Sequence, residues 1–225
     1  MDKKSIGYID SVYCGSGVDG RGLRCVVFFS GCNLRCPFCH NPETLFKRGQ
    51  ETLAEDLANK LKRYKPYFKK GGVTLSGGEP FLQKDFLLCL VGLLKKERIH
   101  VVAETNGQIA DAEILSVLDG VIVDVKNQED DNLKTYEKFF DLCEVLGCEY
   151  KITNVLVPGK NDSDAKLTDL GMLAKRRGHT IKFLPFRKLC VEKYENLGLL
   201  FAYRDIPEAE PDDEKKAYEF IERIK

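Results

Sequence analysis

Neither sign of charge is in excess: Lys and Arg together number 35, as do Asp and Glu, so the formal net charge is zero. That balance excludes the strongly basic footprint of a nucleic-acid-binding domain. Short like-charge groups, Lys3-Lys4, Lys69-Lys70 and Asp212-Asp213-Glu214, read as solvated faces or helix ends. Long apolar runs are also missing. No stretch approaches the ~18 apolar residues of a membrane span, and Met1-Asp2-Lys3-Lys4-Ser5 leads into Ile6-Gly7-Tyr8-Ile9 without an apolar secretion signal. A cytoplasmic protein without membrane association is expected. Repeats, low-complexity tracts and linkers are absent, so residues 1–225 are expected to form a single domain, and a monomer.

What is present is an ordinary globular composition, 43% apolar and 31% charged over 225 residues. A chain of this length buries roughly 70% of its surface and needs no staples. Nine cysteines in a cytosolic chain, an odd count, argue for thiol or metal chemistry over disulfides.

Strand-like and helix-like segments alternate. Arg24–Ser30, Val73–Leu75, His100–Ala103, Val121–Val125, Tyr150–Val157 and Thr180–Leu184 are apolar runs suited to a parallel sheet covered on both faces. Between them, helical spacing predicts helices over Lys84–Lys96, Asp111–Leu118, Asn132–Leu146, Asp164–Arg177 and Asp213–Ile224. Thr52-Leu53-Ala54-Glu55 offers a capping box for another helix running toward Tyr67, and Gly147 and Gly178 sit where helices should end. Arg204–Pro211 reads as a surface loop. Six such units predict an α/β fold, a partial (β/α)6 TIM-like barrel, with functional loops after the C-terminal ends of its strands.

The strongest signal follows the first barrel strand: Gly31-Cys32-Asn33-Leu34-Arg35-Cys36-Pro37-Phe38-Cys39-His40-Asn41. Three thiolates on one short loop can wrap a compact metal centre, and all-sulfur ligation selects zinc or iron–sulfur. A structural zinc site needs four protein ligands, and His40 adjoins Cys39 too closely for both to bind easily. Three cysteines on a four-iron cluster leave one iron open to a small molecule. A zinc loop and a plain iron–sulfur electron carrier stay as alternatives.

C-x3-C-x2-C with Phe38 before the third cysteine resembles the radical S-adenosylmethionine (SAM) superfamily. The stretch from Gly17-Val18-Asp19-Gly20 to Cys39-His40-Asn41-Pro42-Glu43-Thr44 is similar, within it, to the pyruvate formate-lyase activating enzymes. Gly77-Gly78-Glu79, Glu104-Thr105-Asn106-Gly107, Asp124-Val125-Lys126, Val157-Pro158-Gly159, Leu184-Pro185-Phe186 and Lys193–Gly198 follow in family order. The resemblance covers about Ile6 to Pro211.

It implies one 4Fe–4S cluster on Cys32, Cys36 and Cys39, and reductive cleavage of SAM to a 5′-deoxyadenosyl radical. That radical takes hydrogen from a glycine of a glycyl radical enzyme, pyruvate formate-lyase or a homologue. Another such enzyme, or a small-molecule substrate, is the alternative. The electron would come from flavodoxin or ferredoxin. Cofactor contacts are implied for Phe38, Cys39, His40, Gly77, Gly78, Glu79, Glu104, Thr105, Asp124, Val125, Lys126 and Arg187. Glu104 and Asp124 would also hold a monovalent cation, and Asp19 would touch the protein substrate. Larger relatives carry a ferredoxin-like insert, whereas residues 42–70 here contain no cysteine. Thr153 and Arg187 stand where the family usually has Arg and His. Gly15-x-Gly17-x-x-Gly20 matches a dinucleotide fingerprint only literally, because Arg24–Phe29 continues as a strand where that motif must open a helix.

Overall fold

Period-two alternation sorts the strands into two faces. On β2 (Arg24–Phe29), Cys25, Val27 and Phe29 join the main hydrophobic core, while Arg24, Val26 and Phe28 turn the other way. The computed structural model describes residues 5–127 and 133–224; Lys3, Lys4 and Asn132, which began the helix expected over 132–146, lie outside them.

The elements run in order as β1 (Ile6–Ser16), β2, β3 (Gln50–Leu53), α1 (Ala54–Lys62), β4 (Gly72–Gly77), α2 (Lys84–Lys96), β5 (Val101–Thr105), α3 (Ala112–Val117) and β6 (Gly120–Asp124). They continue with α4 (Leu133–Leu146), β7 (Tyr150–Leu156), α5 (Asp164–Lys175), β8 (Ile181–Pro185), α6 (Val191–Asn196) and α7 (Pro211–Arg223). One eight-stranded sheet has the order β3-β1-β2-β4-β5-β6-β7-β8. From β2 to β8 every pairing is parallel, which matches the expected partial barrel of six strands. Helices cover its outer face. In α2, Phe86, Leu87, Leu90, Val91 and Leu94 form the buried stripe that packs there.

Several expectations change. β1 and β3 add two antiparallel strands at one edge. β1 is glycine-bearing and half-exposed, and β3 is four mostly polar residues, so neither carries a strong apolar pattern. The capping box at Thr52 does not form, because β3 runs through Leu53 and the Thr52 hydroxyl donates to Gln50 O at 3.1 Å. α1 stops at Lys62, and Pro66 opens a separate 3-10 turn over Lys65–Tyr67. α7 begins earlier than expected, with Pro211 in its first turn behind a Glu210–Asp213 capping box. Arg204–Pro211 is no simple surface loop: Ala209 is buried and its amide donates to Phe186 O at 3.1 Å. Cys14 and Cys25 are joined by a disulfide, against the expectation of thiol chemistry alone. They face each other across β1 and β2 with Cα atoms 4.0 Å apart, a pairing that strand register creates and sequence spacing does not reveal. Among the described residues no helix is long and apolar enough to cross a membrane.

Arg24 closes the N-terminal end of the barrel. It is 1% exposed, with Nε donating to Thr74 Oγ1 at 2.6 Å and the guanidinium also reaching Val73 O at 2.5 Å and Arg21 O at 3.2 Å. The forked guanidinium satisfies several acceptors at once, which is how a buried charge is tolerated here. At the opposite end, the strands release the loops that build the site.

Candidate active site

The cysteine loop is held from both sides. Gly31 N donates to Thr44 O at 2.8 Å and Cys32 N to Leu45 O at 3.2 Å. Gly31 O accepts from Glu79 N at 2.8 Å, and Phe29 O from Gly78 N at 2.8 Å. The turn after β4 is thus stitched to the strand that carries the cysteines. Gly77 has φ of +105°, and a Cβ there would come within 2.4 Å of Phe29 N; one on Gly78 would lie 2.1 Å from Gly31 O. Both glycines are required by the approach of one backbone to another.

Glu79 extends the stitch. It is fully buried, and its carboxylate accepts from Phe81 N at 3.1 Å, Thr105 Oγ1 at 3.0 Å and Asn106 N at 2.8 Å. Burial pushes its pKa up to about 7, against the hydrogen bonds from Asn106, Phe81 and Thr105 that favour the charged form. Glu79 and Thr105 therefore support the rim of the site. Asn106, not singled out in the sequence, carries the support onward: its Nδ2 donates to Asn33 Oδ1 at 2.8 Å and lies 4.0 Å from Cys32 Sγ. Its sequence signals are its position just past a strand end and its place in Glu104-Thr105-Asn106-Gly107.

Phe38 is buried in a second, smaller core with Val157, Phe186, Tyr194 and Phe201, which anchors the middle of the loop. Lys193 of α6 binds its far end, donating to His40 O at 3.1 Å and Asn41 Oδ1 at 3.2 Å and pairing with Glu43 at 2.5 Å. The His40 ring is engaged with Arg187 O at 2.7 Å, and the Arg187 guanidinium bonds Ala209 O. These two residues tie the loop to the segment after β8.

Cys32, Cys36 and Cys39 form no disulfide, and their side chains are partly accessible. Burial raises Cys39 to about 11, with Lys126 opposing it. Leu34 N donates toward Cys32 Sγ at 3.4 Å, which fixes the first sulfur of the loop. Among the described residues no three His, Cys, Asp or Glu side chains gather as a single ion requires. Three sulfur donors on one loop fit an iron–sulfur cluster, and they leave one of the four positions of a four-iron cluster open to a small molecule.

Beside the loop, the inward face of the sheet is polar. Ser76 of β4 donates to Glu104 Oε2 of β5 at 2.6 Å, and Asp124 and Thr153 are register partners on β6 and β7. Burial pushes Glu104 up to about 7 despite the Ser76 bond, and nearby Asp19 and Asp124 push the same way. Lys126 pairs with Asp124 and lies 5.5 Å from the Phe38 ring centre. Burial works against its charge, but Asp124 and the Cys36 sulfur outweigh that and hold the ammonium above its usual range. Asp124 Oδ1 is buried without a hydrogen-bond partner among the described residues. Such an orphaned acceptor fits a site that takes a cation or a hydrogen-bond donor.

Asp19 sits beside β4, its carboxylate bonded by Ser16 and its carbonyl by Thr74 Oγ1 at 2.6 Å. The Thr153 hydroxyl faces Val123 O at 3.4 Å and supplies no charge where the family resemblance expects Arg. Val125 leaves the cavity-facing set. Its side chain is fully buried in the helix-side core, because it alternates with Asp124 and Lys126, and its backbone bonds Thr153 O and Asn154 Nδ2 at 2.9 and 2.7 Å.

Comparison with known proteins follows the same lines. A family model described as a 4Fe-4S single cluster domain matches residues 18–140. The chain is 37% identical to the pyruvate formate-lyase-activating enzyme of Clostridium pasteurianum, over 97% of this chain and 98% of that one. Identity to the enzyme of the same name from Staphylococcus epidermidis is 34%, over 96% and 95% of the two chains. Streptococcus suis SuiB, solved bound to precursor peptide SuiA, superposes with a TM-score of 0.62 at 18% identity, over 88% of this chain and 44% of that one. That likeness shows the fold alone.

Glu79→Gln should test the stitch. Its folded pKa of about 7 lies above the ordinary 4.5, so the folded chain keeps a proton that the unfolded chain loses between those values. Stability from this group is complete below pH 4.5 and declines as pH rises toward 7. Even protonated, both carboxyl oxygens can accept, whereas an amide nitrogen cannot, so at pH 5 the variant should be less stable by about 1–3 kcal/mol in urea unfolding. The gap should narrow by pH 8; a constant gap would contradict the raised pKa.

Proposed function

The chain belongs to the pyruvate formate-lyase-activating enzyme family, and from that membership we propose that Cys32, Cys36 and Cys39 hold its one 4Fe–4S cluster in a radical SAM activase. When bound, the cluster supplies one electron to SAM, whose reductive cleavage provides the 5′-deoxyadenosyl radical that takes hydrogen from a glycine of the partner enzyme. The observation that carries this reading is the stitch of Gly31 to Glu79, which sets the cysteine loop against a polar cavity face bearing Glu104, Asp124 and Lys126.

The chain's own residues bind, orient and exclude water. The turn Gly77–Glu79 forms the backbone rim beside the cluster loop, Asp124 and Lys126 face the polar part of SAM, and Phe38 seals the inner side. His40 and Arg187 position the loop from behind. Asp19 contacts the partner, a pyruvate formate-lyase-like glycyl radical enzyme. The protein acts as a cytoplasmic monomer. No side chain is needed as acid or base.

Glu104 and Asp124 are proposed to share a monovalent cation. Asp19, Glu104 and Asp124 crowd negative charge into one buried region, and a cation would relieve it. An acidic one-electron carrier, flavodoxin or ferredoxin, would approach the outer side of the loop. There Arg35 and Arg48 lie 5.0 and 5.1 Å from the ring centre of Phe46, itself 39% exposed, and Cys32, Arg35 and Lys47 line a cavity of about 280 Å³.

Anaerobic reconstitution should load about four irons per chain, give dithionite-dependent 5′-deoxyadenosine, and raise a glycine-centred EPR doublet on a pyruvate formate-lyase. Asp19→Ala should keep the 5′-deoxyadenosine and lose most of the doublet. An intact cluster without 5′-deoxyadenosine would sink the enzyme reading, and 5′-deoxyadenosine without any doublet would sink the activase reading alone.

The Glu104 pKa of about 7 gives the cation a pH signature. The charged form appears at a cost in stability as pH rises through 7, so added Na⁺ or K⁺ should raise the melting temperature more at pH 8 than at pH 6. Glu104→Gln should abolish that difference, and its persistence would move the cation elsewhere.

Reversing Lys47 and Arg48 to Glu should slow SAM cleavage driven by a flavodoxin several-fold at low salt, by loss of steering. Cleavage driven by dithionite should be unaffected. Equal slowing with both reductants would rule out this docking face.

A further inference from the structure

A second pocket lies at the other end of the barrel, beneath the N-terminal ends of β2, β4 and β5. Its volume is about 500 Å³, and Arg21, Lys65, Lys69, Lys70, Arg98 and His100 line it without a single carboxylate. Among the described residues, Arg21, Lys69, Lys70 and Arg98 have no acid within ion-pair distance, while Lys65 reaches Glu97 at 3.6 Å. Elsewhere on this neutral chain, exposed cations commonly sit beside carboxylates, as Lys62, Lys84 and Lys95 do. Like charges gathered around a concave surface repel one another and favour an anion between them.

Arg98 adds an independent sign. It has φ of +56°, left-handed backbone that L side chains avoid. It closes α2, with Arg98 N donating to Lys95 O at 2.8 Å and Ile99 N to Leu94 O at 3.1 Å. α4 and α5 close through the same pair of bonds, and there glycine occupies the position: Gly147 at +65° and Gly178 at +67°. A charge that suits a helix end is already provided at α2 by Lys95 and Lys96 in its last turn. The strained position thus bears an arginine where glycine would relieve the backbone, and its side chain lines the pocket.

We propose that this pocket binds a small anion carrying two or more phosphates, at a site separate from the cysteine loop. Its cations come from three segments: the turn before β2, the Lys65–Gly71 stretch and the end of α2. Convergence of that kind suits a compact multivalent ligand, and the volume falls within the range of small-molecule sites. Phe68 offers one apolar wall, so the phosphates could belong to a nucleotide or to a free polyphosphate. Anion binding at this pocket does not depend on the SAM chemistry.

Isothermal titration of the full chain at low salt, with inorganic tripolyphosphate in one arm and ATP in the other, tests it. Saturable one-to-one binding of either supports the site; tighter ATP binding would assign Phe68 a base contact, and equal binding would assign a bare polyphosphate. Arg98→Gly should weaken binding about tenfold, from lost charge-assisted hydrogen bonds. The same variant should melt about 2–4 °C higher as the strain is released, a gain that a purely structural arginine would not give. Lys69→Glu with Lys70→Glu should abolish binding, while Lys47→Glu, outside the pocket, should leave it unchanged. The proposal is overturned if neither anion saturates below about 1 mM (a bound of roughly 4 kcal/mol), if Arg98→Gly binds as tightly as the parent, or if Lys47→Glu weakens binding as much.

Discussion

The buried carboxylate of Glu79 is the contact on which the geometry of the site depends. Its side chain gathers Phe81 N, Thr105 Oγ1 and Asn106 N, while its own amide holds Gly31 O one residue before Cys32. Two chain segments remote in sequence, at Gly31 and at Thr105–Asn106, are thereby fixed to one residue with no exposure to water. Hydrogen bonds in such a region are strong individually and costly to leave unmade, so the rim has little freedom to shift. The raised pKa reflects the same fact: the protein removes a carboxyl from water and compensates it in part with hydrogen-bond donors, to which the Lys126 charge adds.

Around that anchor the sheet divides its labour by strand alternation. The helix-facing side is a continuous apolar core from β2 to β8. The inward side holds Arg24, Thr74, Ser76, Glu104, Asp124 and Thr153, groups that a buried sheet accepts only when each has a partner. Most are paired within the protein: Arg24 with Thr74, Ser76 with Glu104, Asp124 with Lys126. Asp124 Oδ1 has no hydrogen-bond partner among the described residues, and Lys126, its residue's ion-pair partner, lies over the ring of Phe38 in the cysteine loop, where the chemistry is expected. The second core, built from residues after β8, performs a different service by gripping Phe38 and so fixing the loop between its second and third cysteines.

Much of this was legible before any coordinates. Six parallel strands, the helices α2 to α5 and the glycine ends of α4 and α5 follow from apolar period and cap chemistry. The misses share a cause. β3 is too short and polar to announce itself; a helix does begin within Thr52–Glu55, at Ala54, but pairing of Gln50–Leu53 with β1 removes the Thr52 cap. Val125 was grouped with its motif neighbours, although alternation turns it into the opposite core. Ala209 and Phe186 are 23 residues apart, and only their packing shows that Arg204–Pro211 helps enclose the site.

The sequence by itself determined the chemistry available: three cysteines at a spacing that wraps a metal centre, a glycine-rich turn after one strand, and charges interrupting another. These are local properties, set by residue type and distance along the chain. Tertiary structure alone decided which groups meet. It made Glu79 a scaffold between Gly31 and Asn106, gave Gly77 and Gly78 backbone neighbours that forbid a side chain, and set Cys14 against Cys25. Those contacts depend on strand register and loop closure across long separations, which residue spacing does not encode. The cysteine loop, visible from the start, gains its fixed position only through them.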